Sequence, residues 1–203
     1  MTAKTPTPVT LTGTHVRLEP LTRGHLSDLF AAGGNDDEVW RWQGGPTPTT
    51  EAELGTKLDD VLHDELVALP FAVVLLETGR AIGWTTYLDV SEQDERLEIG
   101  WTWYGRRHWR SAVNTESKLL LLTHAFEELG MGRVQWKTDH MNHRSRTAIA
   151  RLGAQPEGIL RRHRQRPDGT FRDSVYFSML ADEWPAAKAG LQSKLAKYAV
   201  PNG

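Results

Sequence analysis

Between residues 97 and 129 the hydrophobic period changes from two to 3.6, and this change restricts the possible folds more than any other feature of the chain. Leu97 to Tyr104 reads as a strand carrying Glu98, Trp101 and Trp103. A polar turn follows. From Asn114 to Leu129 the residues Leu119, Leu120, Leu122, Ala125, Phe126 and Leu129 fall at helical spacing, and Gly130 ends the helix. A helix that starts straight after such a turn leaves its first N–H groups unpaired, and these groups and the helix dipole together favour an anion. Arg106, Arg107 and Arg110 add positive charge there, and Ser111 and Thr115 add hydroxyl donors. A ligand with two linked phosphates is the natural guest. A surface helix capped by Asn114 or Thr115, with Glu116 as an ordinary first-turn acid, explains the same spacing equally well.

The flanking segments supply the rest of a mixed α/β layout. Val9 to Glu19 alternates around Gly13-Thr14 as an opening strand or hairpin, after a lead-in over residues 1–8 whose Pro and Thr content reads as flexible. Thr22 can cap a helix over Arg23 to Ala32 that stops at Gly33-Gly34, and Asn35 to Thr50 reads as a loop. Thr49-Thr50 opens a second helix reaching about Glu65. Phe71 to Leu76 and Ala81 to Val90 form a hairpin. Arg133 to Asp139 is a strand and Ser145 to Leu152 a helix closed by Gly153. Ala154 to Arg164 and Arg172 to Leu180 pair around Pro167-Asp168-Gly169, and a tail helix covers Trp184 to Tyr198. With no repeat and no linker, residues 1–203 read as one domain, a largely antiparallel sheet covered by helices.

Composition removes several chemistries. A chain of 203 residues can bury a core without metal or disulfide support. It has no cysteine, which excludes thiol nucleophiles and acyl-cysteine intermediates and suits a reducing cytoplasm. A net charge of −2 argues against a nucleic-acid partner. The start lacks the apolar run of a signal peptide, and no stretch approaches the ~18 apolar residues of a membrane span. The expectation is therefore a cytoplasmic protein with no membrane partner, whose sheet edges and tail helix could build a homodimer. Asp139, His140 and His143 have the look of metal ligands, but a loop leading to Asn142 accounts for them and no metal is expected. Arg161, Arg162, His163, Arg164 and Arg166 form a basic run that could meet a phosphate of a cofactor, an acidic acceptor or solvent. Asp36-Asp37-Glu38 beside Trp40 and Trp42 could receive a cationic amine, or form a solvated loop.

The stretch RHWRSAVNTESK resembles the acetyl-CoA turn of the GNAT superfamily, whose pattern is Gln/Arg-x-x-Gly-x-Gly/Ala. Arg107 and Ala112 take its first and last positions, and Arg110 stands at the usual first glycine. EIGWTWY before it, NTESKLLLLTHAFEELG, RVQWKTDHMNHRSRTAIARLGA, EGILRRH and DGTFRDSVYFSML after it resemble, in order, the RimJ/RimL-type branch. The likeness covers roughly residues 10 to 182. That branch includes enzymes acetylating the N-termini of ribosomal proteins and relatives with other amine acceptors. The resemblance implies a GNAT-like mixed, largely antiparallel central sheet with helices on both faces and a C-terminal helix.

It also implies roles for particular residues. The backbone of Arg110, Ser111, Ala112, Val113, Asn114 and Thr115, with Arg107 nearby, would hold the pyrophosphate of acetyl-CoA. Trp101, Thr102 and Trp103 would run beside the pantetheine arm, where a backbone N–H could serve the oxyanion. Asn142 and Ser145 match the Asn-x-x-Ser of the branch near the sulfur, and Asn142 could equally be a helix cap. Direct transfer needs no covalent intermediate. An α-amine titrates near ~8 and a lysine near ~10.4, so a base is useful. Glu98 is the candidate base, or else a solvent-facing strand residue. The usual tyrosine acid aligns with Ile149, which leaves Ser145 as the candidate acid. Arg110 and the missing tyrosine also support a second expectation, a non-catalytic acyl-CoA-binding sensor or scaffold.

Overall fold

The computed structural model describes residues 2–166 and 168–198. Eight strands form one sheet in the order β1-β2-β3-β4-β5-β6-β8-β7. They are β1 (Leu11–Thr12), β2 (Val16–Pro20), β3 (Val67–Leu75), β4 (Arg80–Ser91), β5 (Arg96–Tyr104), β6 (Arg133–Asp139), β7 (Gln155–Gln165) and β8 (Phe171–Leu180). Every neighbouring pair is antiparallel except β5 and β6, which are joined by a helical crossover and run parallel.

Helices α1 (Leu26–Gly33), α2 (Asp37–Trp40) and α3 (Glu51–His63) pack on one face, here the front. Their core joins Leu29, Leu54 and Leu58 to Trp40, Trp84 and Trp103. On the back lie α4 (Ala112–Thr123), α5 (His143–Ala150) and α6 (Trp184–Leu195), over Phe71, Tyr87, Ile99, Leu121 and Met179. The expected antiparallel sheet with helices on both faces is thus present. Most tryptophans serve packing: Trp40, Trp84 and Trp103 meet at centroid distances of 4.9 to 5.8 Å.

Several boundaries differ from the sequence reading. The lead-in is not frayed: Ala3 is buried in the back core and the Lys4 amide donates to Leu129 O at 2.9 Å. The loop from Asn35 to Thr50 contains α2, capped by Asp36. The long helix begins at Ala112 rather than Asn114, because Ser111 is its N-cap, and after Thr123 it widens into a π-turn over His124–Glu128. The tail helix ends at Leu195 and tightens to 3₁₀ over Ala196–Tyr198. Pro167, in the expected β7–β8 turn, lies outside the described residues.

Glu116 is no surface acid. It is buried on α4, and its carboxylate accepts the amides of Thr14, His15 and Val16 at 2.8, 2.6 and 2.7 Å. Three backbone donors of the β1–β2 hairpin are satisfied by one side chain, which ties the first strands to the helix beneath the sheet. Gly13 allows this approach, since a Cβ there would lie 2.4 Å from Glu116 Cδ. Glu116→Gln places an amide NH₂ against these donors. It is expected to cost about 2–4 kcal/mol, read as a lower urea midpoint with an unchanged m-value.

Candidate functional site

The parallel pair β5–β6 is short. Its register runs only over Arg96–Glu98 against Arg133–Gln135, although β5 continues to Tyr104 and β6 to Asp139. Past Glu98 the two strands have parted, leaving a wedge with one open edge of β5 on its flank. On its other edge β5 stays paired with β4, but three steps from Gly100 to Trp103 face two steps from Thr86 to Trp84. The extra residue is a β-bulge at Trp101, whose φ is +46°. It breaks the alternation, so Trp101 and Trp103 both turn to the front core while Thr102 turns back toward α4.

The helix terminus lies at the end of this strand. Ser111 Oγ accepts the Val113 amide at 3.3 Å and donates to His108 O at 2.7 Å, so the hydroxyl serves as a cap. Among the described residues the amides of Arg110, Ser111, Ala112 and Asn114 donate to no protein acceptor. Arg110 has φ +59°, the left-handed region. A glycine at this position of the superfamily pattern therefore answers a backbone requirement, which Arg110 meets at a cost of about 1 kcal/mol. Its side chain is exposed. Arg107 instead donates to Ala31 O at the end of α1, at 3.2 Å, and Arg106 is paired with Asp36.

Glu98 stands where the wedge begins. It is buried, not solvent-facing, and lies 2.6 Å from Lys137 Nζ on the neighbouring strand. Burial raises its pKa above the usual carboxylate value, and Lys137 offsets only part of that rise. On the far side of the wedge Asn142 caps α5, its Oδ1 accepting the Ser145 amide at 3.0 Å. Ser145 is half-buried and its hydroxyl has no partner among the described residues. Ile149 lies in the back core. Two residues outside the sequence reading link the end of β5 to α5: Trp109 donates to Tyr104 O at 2.9 Å, and the Arg144 guanidinium lies 3.6 Å over its ring. Asp139 is held by Arg166 at 2.8 and 3.1 Å, so it organises the loop before Asn142.

Two of the three acids in the acidic loop already have a base. Asp36 pairs with Arg106, Asp37 accepts from Thr47 at 2.6 Å, and Glu38 lies 3.6 Å from Arg41. Trp40 is buried, and with Trp84, Trp101, Lys57 and Asp60 it borders a cavity of about 180 Å³ on the front face. The reading of this loop as a receiver of cationic amines therefore keeps only Asp37 as an acid without a base among the described residues.

Lys118 was not singled out from sequence, though its spacing from Leu121, Leu122 and Ala125 places it on the buried stripe of α4. Its Nζ donates to Thr85 Oγ1 at 3.1 Å and to Thr102 Oγ1 at 2.9 Å, with no carboxylate beside it. Burial lowers its pKa from 10.5 to about 7. Between those values the unfolded chain binds a proton that the folded chain does not, so stability rises with pH from about 7 to 10.5. The slope is at most about 1.4 kcal/mol per pH unit. Lys118→Met should lack this rise, which urea midpoints at about pH 7 and about pH 9 will read. Parallel wild-type and variant curves would count against an uncompensated ammonium.

A parallel pair that opens into a wedge, a bulge on its flank and a helix terminus with free amides at its end define an acetyltransferase of the kind that takes its acyl group from CoA. The Acetyltransferase (GNAT) domain family matches residues 15–155, and the chain belongs to that family; it is an N-acetyltransferase. Among its relatives is p20 of Bacillus licheniformis, an uncharacterized N-acetyltransferase, 27% identical over 161 residues, 78% of this chain and 89% of p20. A GCN5-related N-acetyltransferase from Brucella melitensis superposes with a TM-score of 0.89 at 32% identity, over 94% of this chain and 87% of that one. RimJ of Mycobacterium smegmatis, solved in complex with CoA-disulfide, shares the fold with a TM-score of 0.76 at 20% identity, over 92% of this chain and 95% of that one. Acetyl transfer from acetyl-CoA is accordingly the reaction of this chain's family.

Proposed function

We propose that this chain, acting as a single domain over residues 1–203, moves the acetyl group of acetyl-CoA directly to a primary amine, on a protein N-terminus or a small molecule. The observation that carries the reading is the coincidence of the amides of Arg110, Ser111, Ala112 and Asn114, unpaired among the described residues, with a buried carboxylate, Glu98, at the start of the same wedge. In this reading the amides and the α4 dipole hold the pyrophosphate, and the open edge of β5 from Trp101 to Trp103 runs along the pantetheine. Glu98 takes a proton from the ammonium, directly or through water, and its raised pKa brings it closer to the amine it must deprotonate. The neutral nitrogen attacks the thioester carbonyl, a backbone N–H at the bulge holds the oxyanion, and the C–S bond breaks. Ser145 hands its proton to the departing thiolate and recovers one, directly or through water, from the acylated nitrogen, giving free CoA and the neutral amide.

Two variants test separate halves of this reading. Asn114→Asp is isosteric and places a carboxylate in the first turn of α4, which suits the free helix but opposes a diphosphate. CoA affinity measured by calorimetry should fall by about tenfold or more while the melting temperature of the free protein holds or rises. Unchanged affinity would move the pyrophosphate away from this terminus. Glu98→Gln should leave CoA affinity intact and lower kcat by about 10²–10⁴-fold. As the base must be ionised, wild-type activity falls when pH drops through the raised Glu98 pKa, and the variant should lack that limb. A variant profile that keeps it excludes Glu98 as the base.

A further inference from the structure

The front face of β6, β8 and β7 beyond Glu98 carries charges that the transfer chemistry above does not use. In the register, Lys137 on β6 lies opposite Tyr176 on β8, and Arg172 on β8 lies opposite Arg164 on β7. Side-chain contacts make this a continuous floor. Lys137 Nζ is 5.5 Å from the Tyr176 ring centroid, and that ring is 5.9 Å from His163. His163 Nδ1 lies 2.9 Å from Ser174 Oγ, which also accepts Arg172 Nε at 2.8 Å.

The charges on this floor do not balance. Each carboxylate facing it has its own base: Asp89 has Arg96 at 2.8 Å, Glu98 has Lys137 at 2.6 Å, Asp139 has Arg166 at 2.8 Å and Glu157 has Arg133 at 2.5 Å. Arg164 and Arg172 have none among the described residues, and the terminal nitrogens of Arg172 donate to no protein acceptor there. Arg172 is nonetheless half-buried. A partly desolvated guanidinium fork with free donors is a costly arrangement unless an anion fills it. The surrounding field is positive enough that burial together with Arg172, Arg164 and Lys137 lowers the His163 pKa. Across the wedge Asp36 and Glu38 are paired with Arg106 and Arg41, which leaves Asp37, hydrogen-bonded to Thr47, as the one acid of that loop without a base among the described residues.

We infer that the amine acceptor carries a carboxylate close to its reacting nitrogen, and that Arg172, supported by Arg164, binds it beside Glu98. This rests on the acetyl-transfer reading and narrows its acceptor class: the amine goes to the buried carboxylate and the acid group to the unpaired guanidinium. An acceptor with a second cation in that place meets Arg172, Arg164 and Lys137 and is rejected.

The test compares acceptors that differ only in charge. The alanyl dipeptide amides Ala-Asp and Ala-Asn, and free alanine against alanine amide, are titrated into the CoA-loaded protein by calorimetry and assayed for thiol release with acetyl-CoA. The dipeptide arm reports a side-chain carboxylate and the alanine arm an α-carboxylate. In at least one arm the acid should bind about tenfold or more tightly than its amide, as a charge-assisted fork contact predicts. Arg172→Gln should collapse that preference to about twofold by raising KM for the acid, with kcat and CoA affinity kept; exposed Arg164→Gln, which cannot disturb the core, should reduce it in part. Equal or better binding of the amides in both arms overturns the inference. So does a loss of affinity for CoA but not for 3′-dephospho-CoA in Arg172→Gln, which would assign the fork to the cofactor's 3′-phosphate. Arg172-dependent, acid-selective binding without any thiol release would support the acceptor class and defeat the transfer reading.

Discussion

The parallel contact between β5 and β6 spans only Arg96–Glu98 and Arg133–Gln135. Each strand is held on its outer edge by an antiparallel neighbour, β4 on one side and β8 on the other, so neither can bend back to close the gap. The wedge is therefore a consequence of the sheet and does not require a ligand to exist. The bulge at Trp101 aligns with it: one extra residue on β5 lets that strand stay paired with β4 while it leaves β6. The same residue's side chain is delivered to the front tryptophan cluster, so packing and site geometry share one irregularity.

Electrostatic costs are concentrated around this opening. Glu98 of β5 is buried against Lys137 of β6, and Lys118 is buried against Thr85 of β4 and Thr102 of β5 on the opposite face of the sheet. Buried ionisable groups without full compensation cost several kcal/mol. The framework that bears this cost is stiff, with the carboxylate of Glu116 joining the first hairpin to α4 and two aromatic cores clamping the sheet. Arg110 adds a smaller cost, a left-handed backbone at the turn where the helix amides must face outward.

Much of this architecture was legible from the chain. The hairpin of β3 and β4, the apolar stripe of α4 and the glycines that end α1 and the long helix place the elements within a few residues, because each is a local property of backbone and burial. The resemblance in RHWRSAVNTESK and NHRS located the two helix termini that border the wedge. The burial of Glu98 was not legible, since a glutamate in an alternating strand is equally consistent with a solvent face. Nor was the spent charge of Asp36, whose partner Arg106 is distant in sequence. Lys118 was visible as a helical position but not as an uncompensated ammonium, because Thr85 and Thr102 reach it from two other strands.

By itself the sequence determined the order and kind of the elements apart from α2, the absence of thiol chemistry and the position of the turn Arg107 to Lys118. All of these depend on periodicity, turn residues and residue inventory, which act over a few neighbours. Tertiary structure decided how that turn is used. It gave Ser111 the cap, left the amides of Arg110, Ser111, Ala112 and Asn114 without an acceptor among the described residues, and sent Arg107 and Arg106 to α1 and Asp36. It also decided which charges cancel and which, at Arg164 and Arg172, remain. Pairing between charges is set by which strands lie side by side, and for β5, β6, β8 and β7 that order differs from the order along the chain.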